Sequence, residues 1–236
     1  FHTFTPKSVV DLQLGFNSDI MMPLDICTPY PSVKEQVDND LEQTYLWERE
    51  ARDYWESTSH RNLLFGLVQG GAFTDLRQKS AEQLISLDFP GYAIGGLSVG
   101  EPIDILEDMT RYTAALLPEH KPRYLMGVGL PENMIPAIDA GIDMFDCVAP
   151  TRLARHGQFF LGFDRVNIKK SVFREDKSPL DPTCSCSTCQ TFSRAYLRHL
   201  FVSNELLSHM LLSVHNLYSL IHLVKNYRQS ILDECD

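Results

Sequence analysis

Three of the six cysteines, Cys184, Cys186 and Cys189, fall within six residues as C-x-C-x-x-C, a spacing that sets three thiolates on one tight turn. A disulfide framework spreads its cysteines out, whereas crowded thiols in a chain with no secretion signal at its start read as metal ligands. Zinc takes four such ligands in a tetrahedron, and a closed Cys3His set is structural because no position stays open for water. Spacing alone leaves the fourth ligand open among His199, His209, His215 and His222, all on helical sequence. Cys27, Cys147 and Cys235 are read as buried or incidental thiols. A second set of chemistry-bearing residues closes successive apolar runs: Asp25, Gln69, Gly95 and Gly96, Gly127 to Gly129, and Asp146. Singly each has a plain structural reading, an aspartate as a helix cap or a glycine as a turn residue.

The elements that must carry these residues follow from pattern. Strands are predicted over 18–25, 62–71, 92–100, 123–130 and 144–150, and helices over 33–57, 73–87, 102–117 and 131–140. Regular alternation implies parallel strands joined by crossover helices, with functional residues gathered at the edge where the strands end. A closed barrel of that kind needs eight units and about 250 residues, and only five units precede residue 150. Either the sheet is open, or the chain lacks an N-terminal part; the start at Phe1, with no methionine, favours the second reading. Beyond Pro150 the pattern is a basic, β-rich stretch, then the cysteines, then helix over 193–201 and 204–232. Leu207, Met210, Leu211, Val214, Leu217, Ile221 and Val224 make one apolar stripe on the last helix. Three segments are expected: 1–150, an α/β part carrying the strand ends; 151–200, a basic zinc-binding subdomain; and 201–236, a closing helix.

The 236 residues are 44% hydrophobic and 22% charged, which excludes a disordered, collagenous or coiled-coil chain. No apolar run reaches the roughly 20 residues that span a bilayer, and the expected location is cytoplasmic. The net charge of -10 is unevenly distributed. Residues 1–150 hold 10 basic against 23 acidic residues, whereas 151–199 hold nine against four. A polyanion could dock on that basic segment, which is otherwise a solvated loop.

The motifs MFDCVAPTR, GLVQGG, YAIGGLSVGE, YLMGVG and C-x-C-x-x-C with His215 26 residues beyond resemble those of the tRNA-guanine transglycosylase (queuine tRNA-ribosyltransferase) family, of bacterial type, over essentially the whole chain. The resemblance implies an α/β TIM-type (β/α)8 barrel, here about its last five strand units, with a C-terminal zinc-binding subdomain and His215 as fourth ligand to a structural Zn2+. It implies an enzyme, a pentosyltransferase of queuosine biosynthesis, that exchanges guanine at the wobble position of tRNAs with a GUN anticodon for a 7-deazaguanine. Asp146 matches the nucleophile that would hold the ribose covalently. Asp25, Gln69 and Gly96 match the base readers, a carboxylate facing the N1 and N2 donors of guanine and donors facing O6 and N7. Gly127, Val128, Gly129, Leu130, Pro131, Glu132 and Asn133, with Thr151, Arg152, Leu153, Ala154 and Arg155, match two RNA-contacting segments. A homodimer paired through the zinc subdomain is implied as well.

Two departures within the matched residues bear on this: Ile26 stands where the family's bacterial pattern has an acidic residue, and Leu153 where it has an Asn-like one. Val99 resembles the bacterial members and favours the pre-queuosine base (7-aminomethyl-7-deazaguanine) over bulkier queuine. The family's Asp-Ser-Gly-Gly-Tyr segment, with its general acid and base, does not occur in the 236 residues. Proton transfer is worth about 10²- to 10⁴-fold, so these residues alone are expected to be catalytically impaired. The alternatives are a non-catalytic RNA-binding partner subunit, against which the intact MFDCV argues, and a glycoside hydrolase using Asp25 and Asp146 as paired carboxylates.

Overall fold

The computed structural model describes residues 1–58 and 62–235, with side chains up to Asp233. The chain is a mixed α/β fold in two compact units, one of residues 1–128 with 136–146, the other of 129–135 with 147–236. Where three segments were expected, the C-terminal helix thus groups with the cysteine segment, and the division falls after Asp146.

In the first unit, helix α1 (Pro6–Gly15) leads to strand β1 (Ile20–Met21), helix α2 (Lys34–Ser57), β2 (Leu63–Leu64) and β3 (Gly66–Val68). There follow α3 (Thr74–Ser86), β4 (Tyr92–Ile94), α4 (Ile103–Leu116), β5 (Arg123–Leu125), α5 (Pro131–Asp139), whose later residues belong here, and β6 (Met144–Phe145). β3, β4, β5 and β6 form one parallel sheet in that order, with Gly66 opposite Tyr92, Tyr92 opposite Arg123, and Tyr124 opposite Met144. β1 pairs in parallel with β2. The run expected as one strand over 62–71 is therefore two short ladders on different neighbours, separated by Phe65, whose N–H donates to Met21 O. β3 and β4 are buried along their whole length, which accounts for their continuous apolar sequence.

All five predicted strands are shorter in the structure than their apolar runs. The three central ones stop where the backbone turns through positive φ, at Gly70 and Gly71 (131° and 56°), Gly96 (63°) and Gly127 (76°), leaving the residues beyond as loops. α1 was not anticipated; Thr5 and Ser8 close a reciprocal capping box at its start.

In the second unit, α6 (Ala149–Arg155) occupies residues expected partly as strand, with Pro150 in its first turn. The basic stretch forms an antiparallel hairpin, β7 (Gln158–Leu161) and β8 (Asp164–Asn167), followed by a 3-10 turn at Ser171–Phe173. Helices α7 (Ser187–Thr191), α8 (Arg194–Val202) and α9 (Leu206–Cys235) complete it. α9 buries Ser208, Leu212, His215, Asn216 and Leu220, while Leu207, Met210, Val214, Leu217 and Ile221 of the expected stripe are exposed. The polar residues win the inner face because their hydrogen bonds are made there. Asn216 accepts from Phe160 N and donates to Pro150 O and Gln158 O. No helix among the described residues is long and apolar enough to cross a membrane.

Candidate active site and metal centre

Because β3 to β6 run parallel, the residues following them share one sheet edge: Gln69 after β3, Gly95 and Gly96 after β4, Gly127 after β5 and Asp146 after β6. Gln69 is buried, its backbone N–H donates to Ser80 Oγ, and its side-chain amide donates to Asp25 Oδ2 at 2.6 Å. A Cβ on Gly95 would lie 2.9 Å from Gln69 Nε2, so only glycine leaves room for that amide. The backbone N–H of Gly96 faces the thiol of Cys27, two residues beyond Asp25. Asp25, Gln69 and Gly96 thus form one polar cluster that presents a carboxylate and donors together.

Burial pushes the Asp25 carboxyl above its ordinary value, against the opposing hydrogen bond from Gln69. Glu48, on α2, is fully buried and accepts from Leu67 N at 2.6 Å; burial drives it well above the usual carboxyl range, and the nearby charge of Asp25 adds to that. Asp146 is exposed, and its Oδ1 accepts both from Tyr124 Oη at 2.7 Å and from Gly127 N at 2.8 Å. Its Oδ2 carries no hydrogen bond among the described residues. Such a carboxylate is held in place by one oxygen while the other can act as a nucleophile. Glu101 accepts from the backbone N–H of Ser98 and of Val99 and steadies the loop after β4.

In the second unit the ligand atoms of Cys184, Cys186, Cys189 and His215 lie within 4.8 Å of one another. His215 Nδ1 is 3.3 Å from Cys189 Sγ and 3.6 Å from Cys186 Sγ, and its Nε2 donates to Phe160 O at 2.8 Å. That bond places the proton on Nε2 and turns the Nδ1 lone pair to the sulfurs, as a metal-ligating histidine requires. Burial raises the Cys184 and Cys189 thiols, Cys189 to about 12, and lowers His215. This cost reverses when a cation sits among the sulfurs. The donor set fits a tetrahedral metal. Of the other candidates, His199 is exposed, His209 packs on Phe201 and His222 stacks on Tyr218. Cys27 is exposed rather than buried, Cys147 is half-buried and Cys189 and its two neighbours are buried, while the Cys235 side chain lies outside the described residues.

Gly129 is pressed against the Cys147 side chain with no room for a Cβ, which brings the segments 129–133 and 147–155 together in the second unit. Arg152, Arg155 and Glu132 are exposed and Thr151, Leu153, Leu130 and Asn133 half-buried; Gly127, in the first unit, is exposed. Val128, Gly129, Pro131 and Ala154 are buried, Ala154 in the core under α6, so they offer no side-chain surface. Two of the basic residues after 151 serve the fold. Arg194 donates to Leu180 O and pairs with Asp176, and Arg198 donates to the carbonyls of Lys169 and Lys170. Lys169, Lys170, Arg174 and Lys177 remain exposed.

Tyr124, Glu48 and Arg77 were not singled out from sequence. No sequence pattern marked Tyr124; in the structure it is half-buried between two buried residues of the strand R-Y-L, its side chain directed away from those of its neighbours.

Residues 1–235 match the family described as queuine tRNA-ribosyltransferase. Curated relatives of that name are 52% identical in Oleidesulfovibrio alaskensis, 50% in Desulforapulum autotrophicum and 47% in a Thermoanaerobacter species, each over 98% of this chain. The chain covers 61%, 62% and 61% of those three proteins, about three fifths of their length. With a match along nearly its whole length and about half its residues identical to each relative, the chain belongs to the queuine tRNA-ribosyltransferase family.

Proposed function

We propose that this chain carries the nucleophile, base-reading and zinc-binding parts of a tRNA-guanine transglycosylase that replaces guanine at the wobble position of GUN-anticodon tRNAs with a 7-deazaguanine. The observation that carries the reading is the placement of the Asp25–Gln69–Gly96 cluster on the same sheet edge as Asp146. Oδ2 of Asp146 attacks C1′ of the ribose and the C1′–N9 bond breaks, its electron pair leaving with guanine. N9 of the incoming base then attacks C1′ and displaces the carboxylate, restoring the original configuration. By the resemblance, the proton on the departing base is handled by the Asp-Ser-Gly-Gly-Tyr segment of the longer protein. Asp25 accepts from N1 and N2 of guanine, and Gln69 with the Gly96 amide donates to O6 and N7. Adenine would leave Asp25 buried and unsatisfied.

The parallel ladders β1–β2 and β3–β6 support reading the first unit as the later part of a TIM-type barrel. Cys184, Cys186, Cys189 and His215 would hold a structural Zn2+, which when bound cross-links the turn to α9 and leaves no open coordination position. Exposed Arg152 and Arg155 support tRNA contact through α6. The uncovered face of Leu207, Met210, Val214, Leu217 and Ile221 supports pairing with a second copy. Val99, which lines a small cavity together with Gly71 and Gly96, supports the smaller pre-queuosine base over queuine. A cytoplasmic location goes with that tRNA substrate.

The test is denaturing gel electrophoresis of the full-length protein incubated with guanine-containing anticodon RNA, beside Asp146→Ala. An RNA adduct that survives denaturation, disappears in the variant and is released by added guanine or deazaguanine is expected. Bound RNA with no adduct would favour a non-catalytic partner subunit.

A further inference from the structure

Arg77, in the first turn of α3, has no exposed surface and no acidic side chain bonded to it among the described residues. Its guanidinium is spent on backbone carbonyls instead. Nε donates to Gly71 O at 2.7 Å, and Nη2 to Gly95 O at 3.1 Å and Gly96 O at 3.4 Å. Nη1 is buried with no hydrogen-bond partner among the described residues. One side chain therefore joins the loop after β3, which carries Gln69, to the loop after β4, which carries Gly96. The loop after β3 is pressed onto α3 so closely that a Cβ on Gly70 would stand 2.7 Å from Arg77 N.

The peptide between Gly95 and Gly96 is planar and trans, so its C=O and N–H point in opposite directions. Anchoring Gly95 O on Arg77 drives the Gly96 N–H the other way, toward the side on which Cys27 and Asp25 stand. A flat, multi-donor guanidinium can hold carbonyls of two loops at once, and an ammonium presents no such fork. We propose that Arg77 is a positioning residue for base selection, aiming the Gly96 N–H at the exocyclic oxygen of an incoming 6-oxopurine. The inference rests on the proposed transglycosylase reading, in which Gly96 is a base donor. Burial also draws the guanidinium down to about 10, leaving it charged at neutral pH.

The test compares guanine with 6-thioguanine, which keeps the N1, N2 and N7 groups and replaces only the exocyclic oxygen by a poorly accepting sulfur. Both bases compete for exchange into tRNA by the full-length protein, as wild type, Arg77→Lys and Arg77→Met. The ratio of their kcat/KM values, taken on one preparation, does not depend on how much of a variant is folded. The wild type is expected to favour guanine by about tenfold, the worth of one good hydrogen bond. Both variants are expected to bring the ratio to within about twofold of unity, with the guanine loss falling mainly on KM. Variants that weaken both bases equally and keep the ratio, or a wild type that does not discriminate, would overturn the proposal. A wild type that exchanges neither base would instead overturn the transglycosylase reading.

Discussion

Tyr124 Oη and Asp146 Oδ1 are 2.7 Å apart, and the tyrosine is the donor. The bond joins the central residue of β5 to the residue that follows β6 on the adjacent parallel strand and, with the Gly127 N–H, occupies one carboxylate oxygen and leaves the other for chemistry. Burial and the neighbouring carboxylate push the Tyr124 phenol above its ordinary value, so it stays a proton donor throughout the working pH range.

Tyr124→Phe removes that donor with little change in volume. A hydrogen bond to a charged group is worth about 1.5–3 kcal/mol, so kcat of the full-length enzyme is expected to fall about 10- to 100-fold with KM for guanine nearly unchanged. Steady-state exchange kinetics check this. An unaltered kcat would mean that Gly127 alone orients Asp146.

Asp25 should make base binding pH-dependent. Its carboxyl lies above the ordinary 3.8 because burial disfavours the charge, and only the ionised form accepts from both N1 and N2 of guanine. KM for guanine is therefore expected to rise as pH falls, beginning above the ordinary aspartate range. Asp25→Asn is expected to lose about 100-fold in kcat/KM for guanine and to unfold no more easily than the wild type at neutral pH, since it removes a desolvated charge. A guanine profile flat down to the ordinary range would remove Asp25 from the base site.

Glu48 predicts an effect on stability rather than on chemistry. Its raised value means that the folded state holds the proton more tightly than the unfolded one. Its contribution is present below the unfolded carboxyl value and is lost as pH rises through the folded one, the reverse of a salt-bridged acid. Glu48→Gln keeps an acceptor for Leu67 N and cannot ionise. Urea midpoints taken from about pH 5 to about pH 9 are expected to fall less steeply with pH in the variant. Parallel curves would show that Glu48 does not titrate in this way.

The cysteine residues that point to a metal were legible because their spacing is local: three donors in six residues need no knowledge of the fold. The strand ends were legible for a related reason, since glycines punctuate the apolar runs. The buried face of α9 was not. Asn216 reads as a surface residue and His215 was marked only by the resemblance, and contacts with β7 and α6 more than 50 residues away, through Phe160, Gln158 and Pro150, make their burial favourable. Arg77 and Glu48 escaped notice likewise, because a charged side chain in a helix ordinarily faces water and the carbonyls and amide that hold these two come from other elements.

Metal removal gives the fourth prediction. Stripping the ion from full-length protein with a chelator is expected to release one zinc per chain and to lower the unfolding temperature, because three buried sulfurs and His215 then face one another without a cation. Cys189→Ser is expected to reduce the bound zinc below stoichiometry. Metal analysis of purified protein, with thermal unfolding before and after chelation, checks both. A chain isolated under reducing conditions with neither zinc nor another metal would contradict it.

Phe65 alone separates the ladder on β1 from the ladder on β4. Side chains alternate faces along a strand, so adding or deleting one residue between Leu64 and Leu67 would turn Gln69 to the opposite side of the sheet. Length is thus constrained there as tightly as composition. A single-codon insertion or deletion in that stretch should be as damaging as replacing Gln69 itself, whereas the exposed tip of the β7–β8 hairpin, at Gly162 and Phe163, should accept one readily.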